Sequence, residues 1–214
     1  MNKTKIVLGK MWKVLRWVLL AAVVIFVLDF AIGYFALQEQ RQYALQLAEK
    51  FKTDRITLDD VMGKNLPLEP DQKVNDSTLE GIDINHNGIR DDVELAIFKL
   101  HPDSARIRAA ELQYAKALQY EFDPNVYTGE TWKVVKWDFE LSGGYCVTTV
   151  AFGMGGVIGD KMHRADLFDK EVENIVFDTD YRKRSHSHFE SLAVASAGGL
   201  DGKGCDIQLS SLAN

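Results

Sequence analysis

The chain has 214 residues, of which 46% are hydrophobic and 26% charged, and its formal net charge is −6. The first 16 residues carry five positive charges and no acid, which leaves −11 for the remainder. An acidic chain of this kind does not suit a nucleic-acid-binding protein or a protein that docks on anionic lipid. We therefore expect no nucleic-acid partner.

The first predicted element is an N-terminal transmembrane helix over residues 17–37. This run of 21 residues contains one charge, Asp29, and follows a basic cytoplasmic segment over residues 1–16. As a helix it is about 31 Å long, which is enough to cross a hydrocarbon core. Because basic residues stay on the cytoplasmic side, the rest of the chain is predicted to be exported. The sequence thus predicts a signal anchor: a single-pass inner (cell) membrane protein with a periplasmic or extracellular C-terminal domain.

A cleaved signal peptide is the alternative interpretation of this segment. Its apolar core would be Trp17 to Leu28, with a small-x-small cleavage site at Ala31-Ile32-Gly33. The apolar run resumes after Asp29, which favours the uncleaved anchor, and both interpretations export residues 38–214. Asp29 either lies near an interface or pairs with a helix of a larger membrane complex.

Two segments precede the predicted folded domain. Residues 38–52 are polar but helix-prone, so we expect a juxtamembrane helix that continues the membrane helix. Residues 53–80 contain Pro67 and Pro70 among many polar residues, which predicts a linker. A helical calcium-binding domain is then expected over residues 81–214.

Residues 83 to 94 have the pattern of a twelve-residue calcium loop, Asp-Ile-Asn-His-Asn-Gly-Ile-Arg-Asp-Asp-Val-Glu. Gly88 at position 6 permits a sharp turn. Calcium takes six to eight oxygen ligands, and the loop supplies five side chains and one backbone carbonyl. The predicted metal ligands are Asp83, Asn85, Asn87, Ile89 through its carbonyl, Asp91 and Glu94. Because the loop is single and has three charged ligands, we expect a dissociation constant for Ca²⁺ of roughly 10⁻⁴ to 10⁻³ M.

The loop resembles the EF-hand loop, and more closely the single calcium loops of dockerin and thrombospondin type 3 repeats, which also occur in exported bacterial proteins. Position 8, usually aliphatic in EF-hands, is Arg90, and residues 71–81 show no helical periodicity. The resemblance covers 12 of 214 residues, so it implies a calcium site and leaves the family of the whole chain open.

The alternative for this segment is a plain turn at Asn87-Gly88. A helix would follow it, with Asp91 and Asp92 in a first turn that suits the helix dipole. That interpretation leaves the offsets of the other acidic and amide residues unexplained, and it is the weaker one.

Apolar periodicity predicts helices beyond the loop, so the expected fold class is mainly α. The first covers residues 93–100 and ends at His101-Pro102. The second is capped by Asp103 or Ser104 and extends to about residue 120. The third covers residues 128–141 and has two apolar faces, so we expect it to be central.

The C-terminal part contains two apolar pieces and a polar one. Residues 141–159 lack charge and include six glycines. They form either a buried helix or hairpin, which their polar residues favour, or a second membrane span. Residues 167–177 are apolar-periodic, residues 178–187 are polar, and residues 189–197 are predicted to form a short helix.

The two cysteines, Cys146 and Cys205, predict one disulfide bond because the domain is exported. The alternative is a reactive thiol. His163, His186 and His188 could form a zinc site in principle. The last two lie beside a basic stretch, which favours a solvated loop.

We find no specific catalytic motif, so the sequence favours a membrane-anchored binding or scaffold module at the cell envelope, with a protein partner, over an enzyme. One alternative is a hydrolase-like envelope enzyme with a pocket near residues 141–163. Another is an accessory subunit of a membrane complex.

Overall fold

The computed structural model describes residues 3–127, 131–193 and 204–213, and within them every regular element is helical. The α-helices are α1 (Lys3–Thr53), α2 (Leu58–Val61), α3 (Gln72–Asn75), α4 (Asp91–Leu100), α5 (Ala105–Gln119), α6 (Thr131–Val134), α7 (Leu141–Gly153), α8 (Ile158–Val176) and α9 (Asp180–Ala193). The chain divides into two compact units, Met1–Gln42 and Tyr43–Asn214. The prediction of a mainly α protein is confirmed.

The N-terminal unit consists of the larger part of α1. Over Met11–Leu47 this helix is long and apolar enough to cross a membrane, and it is the one such helix in the part of the chain that the structure describes. Its large apolar side chains between Met11 and Leu37 are exposed, as expected for a surface that lipid would cover. The predicted transmembrane and juxtamembrane segments are therefore continuous in one helix, which fits a single-pass anchor.

The core of the second unit is built around α5. This helix packs against α7 and α8, and those two pack against each other. Its apolar side chains Ile107, Leu112 and Leu118 are buried, and so are several of its polar ones. Ser104 caps it by accepting a hydrogen bond from the Ile107 amide at 3.2 Å, as one of the two predicted caps. The central helix is thus α5 and not the helix predicted over residues 128–141.

That third predicted helix is part of a longer helical stretch. Residues 128–130 lie outside the described residues, and α6 is followed by a π-helical turn, Val135–Glu140, which leads directly into α7. The uncharged segment from residue 141 is therefore a core helix as far as Gly153, with Cys146, Val147 and Val150 buried. A Cβ atom on Gly143 would lie 2.8 Å from the Tyr114 backbone, so this glycine allows α7 to approach α5 closely.

The segment expected to be a linker, residues 53–80, instead belongs to the second unit. It contains α2 and α3, and Ile56 and Val61 are buried in the main core. A reciprocal cap between Thr57 and Asp60 begins α2. The two prolines lie in the irregular stretch between α2 and α3, and the folded domain starts well before residue 81.

The C-terminal region differs from the prediction in one helix. Helix α9 covers most of the polar stretch that was expected to be a loop, and residues 194–197 of the predicted short helix lie outside the described residues. The disulfide between Cys146 and Cys205 is present. It holds residues 204–213 against the unit, where Leu212 is buried. The predicted disulfide is confirmed.

Candidate metal centre

Side-chain oxygens shape the loop at residues 83–94 by accepting hydrogen bonds from its own backbone. Asp83 accepts from the Gly88 amide through Oδ2 at 3.0 Å and from the Asn87 amide through Oδ1 at 3.3 Å. Asn85 Oδ1 lies 3.2 Å from the same Asn87 amide, and Asn87 Oδ1 accepts from the Ile89 amide at 2.8 Å. These bonds hold the oxygens of positions 1, 3 and 5 on the inside of the turn.

Two residues of the loop have left-handed backbone conformations. Gly88 has φ 81°, and a Cβ atom there would lie 2.9 Å from Lys116 Cε. His86 at position 4 has φ 55°, and its side chain is exposed. The backbone conformation therefore favours glycine at position 6, as its position in the pattern predicts, and a Cβ atom there would make the Lys116 side chain shift.

Positions 9 and 12 are contributed by the first turn of α4, where both carboxylates are buried. Asp91 is fully buried; its Oδ1 accepts from the Ile84 amide at 3.0 Å, but its Oδ2 accepts no hydrogen bond. Glu94 is 1% exposed, and its Oε2 accepts from Asn85 Nδ2 at 2.9 Å. Burial raises the pKa of Glu94 to about 7 and also raises the pKa of Asp91.

The side chain of Ile89 fixes the loop to the core. It is fully buried and packs in the same cluster as Val93 and Ile97 of α4. The Asn85 amide group also donates to the Asn65 carbonyl at 3.1 Å, a contact made from the segment expected to be a linker. The loop is thus held on two sides before any ion binds.

Arg90, the unusual residue at position 8, attaches the loop to the end of α8. Its buried guanidinium donates to the carbonyls of Ile175 and Val176 at 3.2 and 3.1 Å and pairs with Asp178 at 3.1 Å. The last carbonyls of a helix have no partner within the helix, so the arginine satisfies them. Asp92, next to the ligand Asp91, pairs with the same guanidinium and is not a free acid of the loop. The sequence contained no signal for these partners beyond the departure from an aliphatic residue.

The donor set of this loop fits a hard divalent cation. The turn contains Asp83, Asn85 and Asn87, and the first turn of α4 contributes Asp91 and Glu94, which a hydrogen bond from Asn85 to Glu94 links to the turn. The donor atoms of all five are carboxylate and amide oxygens. Buried carboxylates without a cation are costly, and Asp91 Oδ2 has no protein donor to offset that cost. Calcium prefers oxygen ligands of these kinds, with a long acid at position 12 that can bind through both oxygens.

The three histidines considered for zinc do not come together. His163 is exposed on α8, and His188 stacks on the Tyr127 ring with centroids 5.1 Å apart. His186 lies on α9, half-buried, with Nδ1 2.9 Å from a carboxylate oxygen of the fully buried Glu121. The predicted solvated loop is therefore a helix whose His186 faces inward, because α9 packs against the turn at Glu121.

A cavity of about 330 Å³ lies beside α7, in the region expected to hold a pocket if the protein were an enzyme. Its lining includes Tyr114, Lys136, Glu140 and Asp169, and His163 is not among the lining residues. Burial raises the pKa of Asp169 to about 6 and that of Glu140 well above its ordinary value. Lys136 pairs with Glu140 at 2.7 Å, so a cation already faces one of the two acids.

No protein-family model, curated protein or solved structure matches the chain. What the protein does must therefore be inferred from the chemistry of its own side chains.

Proposed function

We propose that this is a membrane-anchored, exported calcium-binding protein, with one structural Ca²⁺ ion in the loop at residues 83–94. The observation that carries the proposal is the buried Asp91 carboxylate, whose Oδ2 has no hydrogen-bond donor although it lies in a turn rich in other oxygen ligands. A calcium ion supplies the missing positive charge. It also accounts for Glu94, a second buried acid, whose Oε2 accepts a hydrogen bond from the uncharged Asn85 amide group.

The role proposed for the ion is to stabilise the second unit. The loop connects the segment at residues 53–80 to α4, and Arg90 connects it to α8. An ion that binds the folded loop and not the unfolded chain raises stability by mass action. A domain stabilised in this way suits a binding or scaffold module at the cell envelope, with a protein as its partner.

The test is a titration of the full-length chain, purified in detergent micelles, with calcium and with magnesium. With a dissociation constant of roughly 10⁻⁴ to 10⁻³ M, about 5 mM calcium stabilises the domain by about 1 to 2 kcal/mol. That gain corresponds to a rise in Tm of roughly 2 to 9 °C for a domain of this size. An equal response to magnesium, or no response to either ion, rejects the proposal.

The proposed location is the inner membrane, with the second unit in the periplasm or outside the cell. Support comes from the apolar helix at Met11–Leu47, from the five basic residues before residue 17, and from the disulfide, which is typical of oxidising compartments. Protease added to intact spheroplasts should degrade the second unit. Protection from the protease would place it in the cytoplasm instead.

An envelope enzyme is the second candidate, and the cavity lined by Glu140 and Asp169 is the observation that favours it. Buried carboxyls with raised pKa values can act as general acids near neutral pH. A panel of chromogenic ester and glycoside substrates tests this candidate. Turnover that Asp169→Asn abolishes would support an enzyme, and an inactive wild-type protein would leave the binding module preferred.

An accessory subunit of a membrane complex is the third candidate, and it depends on Asp29, which is exposed on α1. A charge at membrane depth needs a partner or an interface. If Asp29→Leu leaves the size of the native detergent-extracted species unchanged, this candidate is rejected.

A further inference from the structure

A second group of ligand-type side chains lies on the opposite end of α4 from the calcium loop. His101 directly follows α4, Glu111 lies in the middle of α5, and Glu171 lies on α8. One donor atom from each of the three lies within 4.8 Å of the others. His101 Nε2 is 3.1 Å from Glu111 Oε1 and 3.3 Å from Glu171 Oε2.

These separations match those between ligands of one small metal ion. A tetrahedral centre with bonds of about 2.0 to 2.2 Å has its ligand atoms roughly 3.4 Å apart. The imidazole is oriented by Phe168, whose ring meets it edge-on with centroids 6.0 Å apart. Three elements that are distant in sequence thus already present one nitrogen and two carboxylates at coordination spacing.

Glu111 provides independent support because its carboxylate is fully buried, and the cation that can face it is His101, whose Nε2 lies 3.1 Å from Oε1. Its side chain is 0% exposed, and neither of its carboxylate oxygens accepts a hydrogen bond. His101 Nε2 is shared between the two acids, because it also lies 3.3 Å from Glu171 Oε2. A fully buried carboxylate is normally bonded on several sides, so Glu111 lacks the protein donors that its position on α5 demands.

The charges of the group favour a divalent cation over a proton. A protonated His101 brings one positive charge against the two negative charges of Glu111 and Glu171. A divalent ion on neutral imidazole balances both carboxylates. The nitrogen ligand selects a transition metal and disfavours calcium, which takes oxygen ligands.

We propose that His101, Glu111 and Glu171 form a second metal site, which binds a divalent transition-metal ion of the Zn²⁺ type and joins α4, α5 and α8. The side chains of His101 and Glu171 are 16% and 32% exposed, so the site is open to solvent on one side. An ion can enter there, and a water molecule can take a fourth position.

A second cluster of one histidine and two glutamates occurs among the described residues, formed by Glu121, His186 and Glu190. It differs from the first because its buried glutamate has a hydrogen-bond partner. Glu121 accepts hydrogen bonds from His186 Nδ1 at 2.9 and 3.2 Å. Lys136 bonds both Glu190 and Glu140, so a positive charge is already present. This cluster needs no metal ion, and it provides a matched control.

The experiment is calorimetric titration of the full-length protein with Zn²⁺, in micelles, with millimolar calcium present throughout. The protein is purified through a tag without histidine. We expect about one equivalent of Zn²⁺ to bind. Glu111→Gln replaces a charged ligand with an uncharged side chain of the same shape. It should weaken Zn²⁺ binding by more than about 100-fold, above the range for residues that only support ligands. Glu190→Gln, with the same change of charge, should bind like the wild type.

A second variant separates the loss of a metal ligand from misfolding. Glu171→Gln changes a partly exposed residue, so it should keep the wild-type circular dichroism spectrum and still lose affinity. The proposal is overturned if the wild type binds no Zn²⁺. It is equally overturned if Glu171→Gln binds with wild-type affinity, or if Glu190→Gln loses as much affinity as the ligand variants.

Discussion

Replacing Glu94 with glutamine is predicted to stabilise the calcium-free protein and to remove its response to calcium. Burial raises the pKa of Glu94 from 4.5 to about 7. Each pKa unit corresponds to about 1.4 kcal/mol, so ionising this carboxyl costs the folded calcium-free state about 3 kcal/mol. Glutamine carries no charge and retains an oxygen that can accept from Asn85 Nδ2.

The pH dependence follows from the direction of this shift. Because the folded pKa lies above the unfolded pKa, Glu94 favours folding fully below about pH 4.5, and this contribution is lost as pH rises through about 7. In chelator at about pH 8, Glu94→Gln should therefore unfold at a higher temperature than the wild type. At about pH 4.5 the Glu94 carboxyl is protonated in the folded protein and is uncharged like glutamine, so the difference in Tm between the two proteins should nearly vanish.

Calcium should stabilise the wild type and leave Glu94→Gln unchanged, which reduces the advantage of the variant. In the wild type the ion compensates the buried carboxylate, so about 5 mM calcium raises the Tm. In Glu94→Gln the charged bidentate ligand is missing, so the Tm should not respond. Thermal unfolding by circular dichroism compares the full-length wild type and Glu94→Gln in chelator at both pH values and in calcium.

A control variant shows whether the effect is specific to the buried Glu94. Glu80→Gln makes the same change of charge at an exposed position and should behave like the wild type in both media. If Glu94→Gln is less stable than the wild type in chelator at pH 8, Glu94 is not an uncompensated buried charge. If the variant still responds to calcium, the proposed coordination is incorrect.

Three further predictions concern the stability of the second unit, each measured by urea unfolding of the full-length protein in calcium. Gly143→Ala should cost about 1 to 3 kcal/mol because its Cβ would meet the α5 backbone at 2.8 Å, whereas Gly144→Ala has open space and should gain up to about 1 kcal/mol. Arg182→Met should cost about 3 to 5 kcal/mol, since this fully buried guanidinium bonds three backbone carbonyls and two aspartates; a loss below about 1 kcal/mol would contradict that role. Replacing both Cys146 and Cys205 with serine should cost about 4 kcal/mol, because the disulfide closes a loop with a sequence separation of 59; equal stability of the serine pair and the oxidised wild type would contradict this.

The features that the sequence predicted well depend on neighbours within one or two turns of the chain. Helix α5 begins at its Ser104 cap, and α4 ends before His101-Pro102, because capping and proline act locally. The calcium loop stays a prediction; its pattern is also local, with oxygen-bearing residues at fixed offsets within twelve residues. The candidate membrane helix follows from one apolar run that contains a single charge, and the disulfide from two cysteines in a chain expected to be exported.

The sequence predictions failed where distant residues decide the outcome. Residues 53–80 look like a linker because they are polar and contain prolines. They fold because Ile56 and Val61 find a place in the core and because Arg182 of α9 bonds the carbonyls of Asn75 and Leu79. No local pattern encodes those partners, which lie more than 100 positions away along the chain.

The tertiary structure alone decided which charged side chains are buried and what faces them. In the sequence, Arg90 was only a departure from an aliphatic position, and Glu111 was an ordinary acid on a helix. Packing places Arg90 against the end of α8 and Glu111 against His101. Sequence determined where oxygen ligands are dense along the chain, because spacing is local; packing determined which carboxylates lose water, because burial depends on what other helices bring to the same place.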